Sequence, residues 1–236
     1  GSASNTLVIA KAAAAVELDD LSQTYDGTAK SATATTEPTG LTVNFTYDGS
    51  ATAPTAAGSY AVVATVNDAN YAGFASNTLV IAKAAATVAL GDLAQTYDGT
   101  AKSVTATTTP EGLDVDITYD GSATAPTAAG SYAVVATIDD ANYEGSASNT
   151  LVIAKAAAAV ELGALAQTYD GTAKSATATT TPTGLVVDIT YDGSATAPTA
   201  AGSYAVVATV NDANYAGFAS NTLVIAKAAA AVELGA

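Results

Sequence analysis

One stretch recurs along this chain and limits what it can fold into. Asn5-Thr-Leu-Val-Ile-Ala-Lys-Ala-Ala-Ala-Ala-Val-Glu-Leu18 returns nearly unchanged at Asn77–Leu90, Asn149–Leu162 and Asn221–Leu234, each time after 72 residues. Tyr25, Tyr97 and Tyr169 keep the same step. Self-similarity at a fixed period marks a repeat array, in which one supersecondary unit is copied and stacked. The expected organisation is therefore three modules, residues 12–83, 84–155 and 156–227. Residues 1–11 read as the closing strand of a preceding module, and 228–236 as the opening strand of a following one. Both flanks lie inside the pattern, so the chain reads as a piece of something longer.

The recurring stretch is the joint between modules. Its Ala, Lys, Glu and Leu favour helix. Against that, Thr6–Ile9 is a β-branched run. The variant joint at residues 83–90 also accepts Thr87 and keeps Val88 and Leu90 at period two. The pattern thus predicts a closing strand running into the next opening strand with little or no linker. At about 3.3 Å per residue the run covers about 40 Å. A joint of this kind is stiff, unlike a Gly/Ser tether.

Within a module the pattern predicts about six short strands. Leu41, Val43, Phe45 and Tyr47 share one parity. They become Leu113, Val115, Ile117 and Tyr119, then Leu185, Val187, Ile189 and Tyr191. The opposite parity drifts through Asp114, Asp116, Val186 and Asp188, so one face is core and the other solvent. Tyr60, Val62, Ala64 and Val66 form a second such face. Asp26-Gly27 and Asp48-Gly49 are tight-turn dipeptides. Glu37–Gly40 is a Pro/Gly loop, and Pro54 confines its stretch to an edge or a loop. Strands with turn signals every 8–12 residues or so give an all-β module, a sandwich of two small sheets. Gly58-Ser59-Tyr60 resembles the tyrosine corner of immunoglobulin-like sandwiches, with Val62 where antibody domains carry Cys. A β-grasp-like module is the alternative fold.

Composition removes whole classes of function. The net charge is −15, from 22 acidic residues and 7 lysines, with no Arg or His. A nucleic-acid partner needs a basic face, which this chain lacks. Anionic lipid surfaces are disfavoured for the same reason. Without His or Cys there is no Ser-His-Asp or Cys-His nucleophile and no His/Cys zinc site. No Cys also means no disulfide, so packing alone must hold each module. No stretch approaches the ~20 apolar residues of a membrane span.

Gln23-Thr-Tyr-Asp-Gly-Thr-Ala-Lys30, Tyr47-Asp-Gly49, Pro54-Thr-Ala-Ala-Gly-Ser-Tyr60 and Asn70-Tyr71 followed by Thr78–Lys83 resemble the MBG/YDG-type repeats of large bacterial surface proteins. The resemblance covers all three modules. It implies a tandem array in a secreted or wall-anchored, adhesin-like protein, where the repeats serve mainly as a stalk. It supplies no catalytic motif.

No catalytic, cofactor-binding or metal residue is assigned from the sequence. Asp19-Asp20 becomes Gly91-Asp92 and then Gly163-Ala164, as a solvated loop would and a catalytic pair would not. Asp26, Asp48 and Asp68 recur in every copy. Structural calcium is the alternative to turn chemistry there. A Lys–Asn cross-link involving Asn70 or Asn77 would need a buried lysine, and lysine is usually exposed. Tyr71 and its copies Tyr143 and Tyr215 suit packing at a turn, or stacking on a sugar. Two functional classes follow. The leading one is a monomeric structural stalk whose partners are its neighbouring repeats. The alternative is an array of weak carbohydrate or protein sites acting through multivalency.

Overall fold

The computed structural model describes residues 5–230. The chain divides into two compact units. Residues 1–89, 106–117 and 135–147 form the first, and 90–105, 118–134 and 148–236 the second. The first repeat lies wholly in the first unit and the third in the second. The middle repeat shares its residues between them.

The first repeat carries eight strands: β1 (Ala12–Ala13), β2 (Ala15–Asp19), β3 (Ser22–Thr24), β4 (Thr33–Glu37), β5 (Val43–Tyr47), β6 (Gly58–Val66), β7 (Tyr71–Ala72) and β8 (Phe74–Ala82). The joint is strand, as the β-branched pattern predicts. It is broken at Lys83 and Ala86, between the segments Ala84–Ala85 and Thr87–Gly91. No helix occurs among the described residues, which removes the β-grasp alternative, since that fold packs a helix across its sheet.

Two sheets face each other. One has the order β3-β8-β6-β5, and the other pairs β2 with β4. β6 is antiparallel to both β5 and β8, whereas β3 runs parallel to β8 with Gln23 opposite Ile81. The short β3 and β7 are not distinguishable as strands in the sequence, and the parallel pairing comes from residues nearly 60 positions apart. The core lies between the sheets. Val62, Leu79 and Ile81 are buried, with Leu18, Leu21, Tyr25, Phe45 and Tyr60 packed around them. The third repeat has the same arrangement around Val206, Leu223 and Ile225.

Tyr47 is buried and Tyr60 half-buried, and each ring packs on the core while its hydroxyl finds a partner. The Tyr47 hydroxyl accepts the Ala32 N–H at 3.0 Å, tying β5 to the segment that enters β4. The Tyr60 hydroxyl donates to Ala56 O at 2.9 Å. This is the tyrosine corner expected from Gly-x-Tyr, and Tyr132 and Tyr204 repeat it. Asp48 and Gly49 both have positive φ, and Tyr47 and Ser50 exchange two hydrogen bonds across them. That is the two-residue hairpin turn for which Asp-Gly is selected.

The segment 5–11 differs from expectation. It carries no ladder, and Leu7, Val8 and Ile9 are 82–85% exposed. The identical residues Leu79 and Ile81 are 0% and 2% exposed in β8. A strand with one apolar face needs β3 and β6 beside it, and among the described residues segment 5–11 has no such neighbours. Residues 228–230 likewise lie outside any strand, and the remainder of 228–236 falls outside the described residues.

After β2 the chain turns at Asp20, φ 57°. Asp20 Oδ2 accepts the Thr33 hydroxyl at 2.6 Å, and the Gln23 amide donates to Asp20 O and Ser31 O. In the third repeat Ala164 takes this conformation, φ 54°, without a polar side chain. A left-handed backbone costs an L-residue roughly 1–2 kcal/mol, and Asp tolerates it better than Ala. Ala164→Asp should therefore stabilise the third repeat by about 1 kcal/mol. Denaturant unfolding of the two chains checks this, and no gain would show that the turn carries no strain.

Candidate functional site: the joint between repeats

The recurring motifs of one repeat meet those of the next at the joint. In the first unit, the start of the middle repeat, Ala84–Ala85, pairs in parallel with Tyr143–Glu144 near its end, as β1 pairs with β7. Ala84 N–H donates to Asn142 O and Ala86 N–H to Glu144 O, each at 2.8 Å. Lys83 Nζ donates to Asp140 O at 2.6 Å. The Asp140 carboxylate accepts the Asn142 and Tyr143 N–H groups, closing the turn that presents them.

Two further contacts reach the body of the first repeat. Asn142 Oδ1 accepts the Ala57 N–H at 2.9 Å, in the loop before β6. The Tyr143 ring packs edge-to-face on Tyr25, with centroids 5.3 Å apart and planes at 82°. The Tyr of Tyr-Asp-Gly in one repeat thus receives the Tyr of Asn-Tyr from the next. The second unit repeats this arrangement through Lys155 with Asp212 O, Ala156–Ala157 with Tyr215–Ala216, Asn214 with Ala129 N–H, and Tyr97 with Tyr215. Each hydrogen bond contributes about 1 kcal/mol net. The ring pair adds about 0.5–1.5 kcal/mol beyond its buried area. Of the two roles open to the Asn-Tyr tyrosine, packing at a turn is the one Tyr143 and Tyr215 take.

A glycine makes the close approach possible. A Cβ built on Gly145 would overlap the carbonyl oxygen of Ala86, and Gly73 and Gly217 stand in the same relation to Ala14 and Ala158. The obstructing atom is main chain, so no side-chain rotation relieves it. Gly145→Ala should push the turn off the joint. Hydrogen exchange would show it as lost protection at the Ala84 and Ala86 amides, while the β6–β8 amides of the first repeat keep theirs. Unchanged protection at the joint would overturn this account.

The recurring aspartates are engaged in turns. Asp26 accepts the Thr28 N–H and hydroxyl and forms an ion pair with Lys30. Asp48 accepts the Ala61 N–H, and Asp68 those of Asn70 and Tyr71. Among the described residues no group of three or more acidic side chains is placed to hold a metal. The lysine expectation needs correction. The Lys30, Lys102 and Lys174 side chains are only 11–13% exposed, because each folds over its turn onto an Asp carboxylate. Their partner is Asp rather than Asn, so they do not meet the geometry of a Lys–Asn cross-link.

The Lys30 ammonium, followed by the Thr28 hydroxyl and N–H, holds the Asp26 carboxyl well below its usual range; Asp98 and Asp170 are held in the same way. A carboxyl depressed in the folded state adds stability that is complete above its unfolded value. That stability is lost as pH falls toward the folded one. The contribution should therefore be intact at neutral pH and fade below the ordinary value of 3.8. The triple replacement of Asp26, Asp98 and Asp170 by Asn should lower stability at pH 7, and the gap from the parent should close below about pH 4. A gap that stays constant in acid would refute the ion-pair role.

The sequence model of the MBG domain matches residues 14–85, 86–157 and 158–229. No curated protein matches the chain. Among solved structures, immunoglobulin domains 1–5 of Sidekick-1 align at 13% identity over 91% of this chain, with a TM-score of 0.33. The alignment spans 59% of that protein's length.

Proposed function

The chain belongs to the MBG domain family, and from that premise we propose that it is a structural spacer of a bacterial surface protein, holding a distal binding domain away from the cell. The observation that carries this reading is the joint. Lysine, Asn side chain and tyrosine pair link one repeat to the next, a main-chain ladder fixes the turn that carries the Asn and Tyr, and the same set recurs in each unit. A tether meant to flex would leave its backbone to water. Nearest-neighbour coupling of identical units is how a quasi-one-dimensional array gains stability from weak modules.

The remaining properties fit a secreted location. A net charge of −15 keeps many near-identical repeats from associating with one another. With no cysteine, the modules fold alike in oxidising and reducing surroundings. The partners are the neighbouring repeats, and the segment works as a monomer.

Small-angle X-ray scattering on this chain tests the proposal, in EDTA and again in millimolar calcium. The expected result is the same stiff, elongated particle in both, with Gly145→Ala and Gly217→Ala together shortening its maximum dimension. A compact or freely bending parent chain would overturn the spacer reading. Elongation only in calcium would assign the stiffness to the Asp turns instead.

A further inference from the structure

The three repeats are nearly identical, and four of the positions at which they differ fall together at one corner of the outer sheet face. Asn44 pairs with Thr65, and Thr65 with Phe74, so these three form a row across β5, β6 and β8. Thr42 and Asn67 lie beside that row, joined by an Asn67 N–H bond to Thr42 O. The third repeat places Asp188, Thr209 and Phe218 in the same row, beside Val186 and Asn211. The middle repeat carries Asp114, Asp116, Asp139 and Ser146 at the matching positions. Elsewhere on this face Ser59, Ala61, Val63, Ser76, Thr78 and Val80 are the same in all three copies. Exposure alone therefore does not account for the variation.

Phe74 and Phe218 are each 73% exposed, and Val186 is 63% exposed. An aromatic ring held in water on a strand contributes little to its own module. Around it stand groups that hydrogen-bond hydroxyls from both sides, the amides of Asn44 and Asn67, or the Asp188 carboxylate bonded to the Asn211 amide at 3.0 Å. A flat apolar ring beside paired donors and acceptors matches a pyranose, which offers a C–H face and a rim of hydroxyls. A chain with net charge −15, and Asp188 within one patch, repels sulfated or sialylated ligands.

We propose that the outer-face corners centred on Phe74 and Phe218 bind a neutral saccharide, and that the corresponding corner of the middle repeat does not. Two such sites on one chain convert weak single contacts into avidity. The site is distinct from the joint, so the spacer reading stands or falls separately, by scattering.

The test is binding of the whole chain to an array of neutral saccharides ending in glucose, galactose, mannose or N-acetylglucosamine, with sialylated versions alongside. The parent should bind at least one neutral member. Phe74→Ala with Phe218→Ala should lose at least tenfold in signal, while Ser146→Ala leaves it unchanged. Because both rings are exposed, the thermal midpoint of the double variant should match the parent's, which separates lost binding from lost folding. Absence of neutral binding, preference for sialylated members, or retention by the double variant would each overturn the proposal. Capture of an apolar peptide instead of any saccharide would identify the corner as a protein site and overturn it equally.

Discussion

The main chain of Ala84–Ala86 has polar groups that must be satisfied, and it satisfies them on Asn142 and Glu144, near the far end of the middle repeat. Much else follows from that. The Asn-Tyr turn must lie against a carbonyl oxygen, so a glycine follows it. The turn must keep its shape, so Asp140 caps two of its N–H groups. With the turn held there, Asn142 and Tyr143 meet Ala57 and Tyr25 without further adjustment. The alanine-rich character of the joint reflects the same contact, since Ala86 is buried where Gly145 approaches.

The module has a modest core of Val, Leu, Ile and Ala, capped by two tyrosines with satisfied hydroxyls. A unit of this size buries a limited share of its surface, which leaves little margin for stability. Hydrogen bonds and rings shared with a neighbour extend that margin at low cost in sequence. They also explain why Tyr25, Asn70, Tyr71 and Lys11 recur in every copy. The contrast between Leu79 in β8 and Leu7 in the same local sequence shows the dependence directly. The residues are identical, and only the presence of flanking strands differs.

Some features were legible because they are local. Period-two alternation in Leu41–Tyr47 and Tyr60–Val66 identified strand faces, Asp48-Gly49 identified a hairpin turn, and Gly58-x-Tyr60 identified a tyrosine corner. At the joint, Thr87 and the β-branched run before it favour strand over helix. Features that join distant residues were not legible. The parallel pairing of β3 with β8, the burial of Lys30, and the meeting of Tyr25 with Tyr143 leave no local signature. Two tyrosines recurring at fixed places show that each has a role, but not that they share it.

By itself, then, the sequence determined the period, the all-β character, the core faces and the exclusion of nucleophile and His/Cys chemistry. These depend on residue type and spacing within a few positions, or on counts. The tertiary structure decided which strands pair, that the joint is bonded to the following repeat, and that Gly73, Gly145 and Gly217 are needed for close approach. These are contacts between segments some 60 residues apart, where the partner is fixed by how the chain returns on itself.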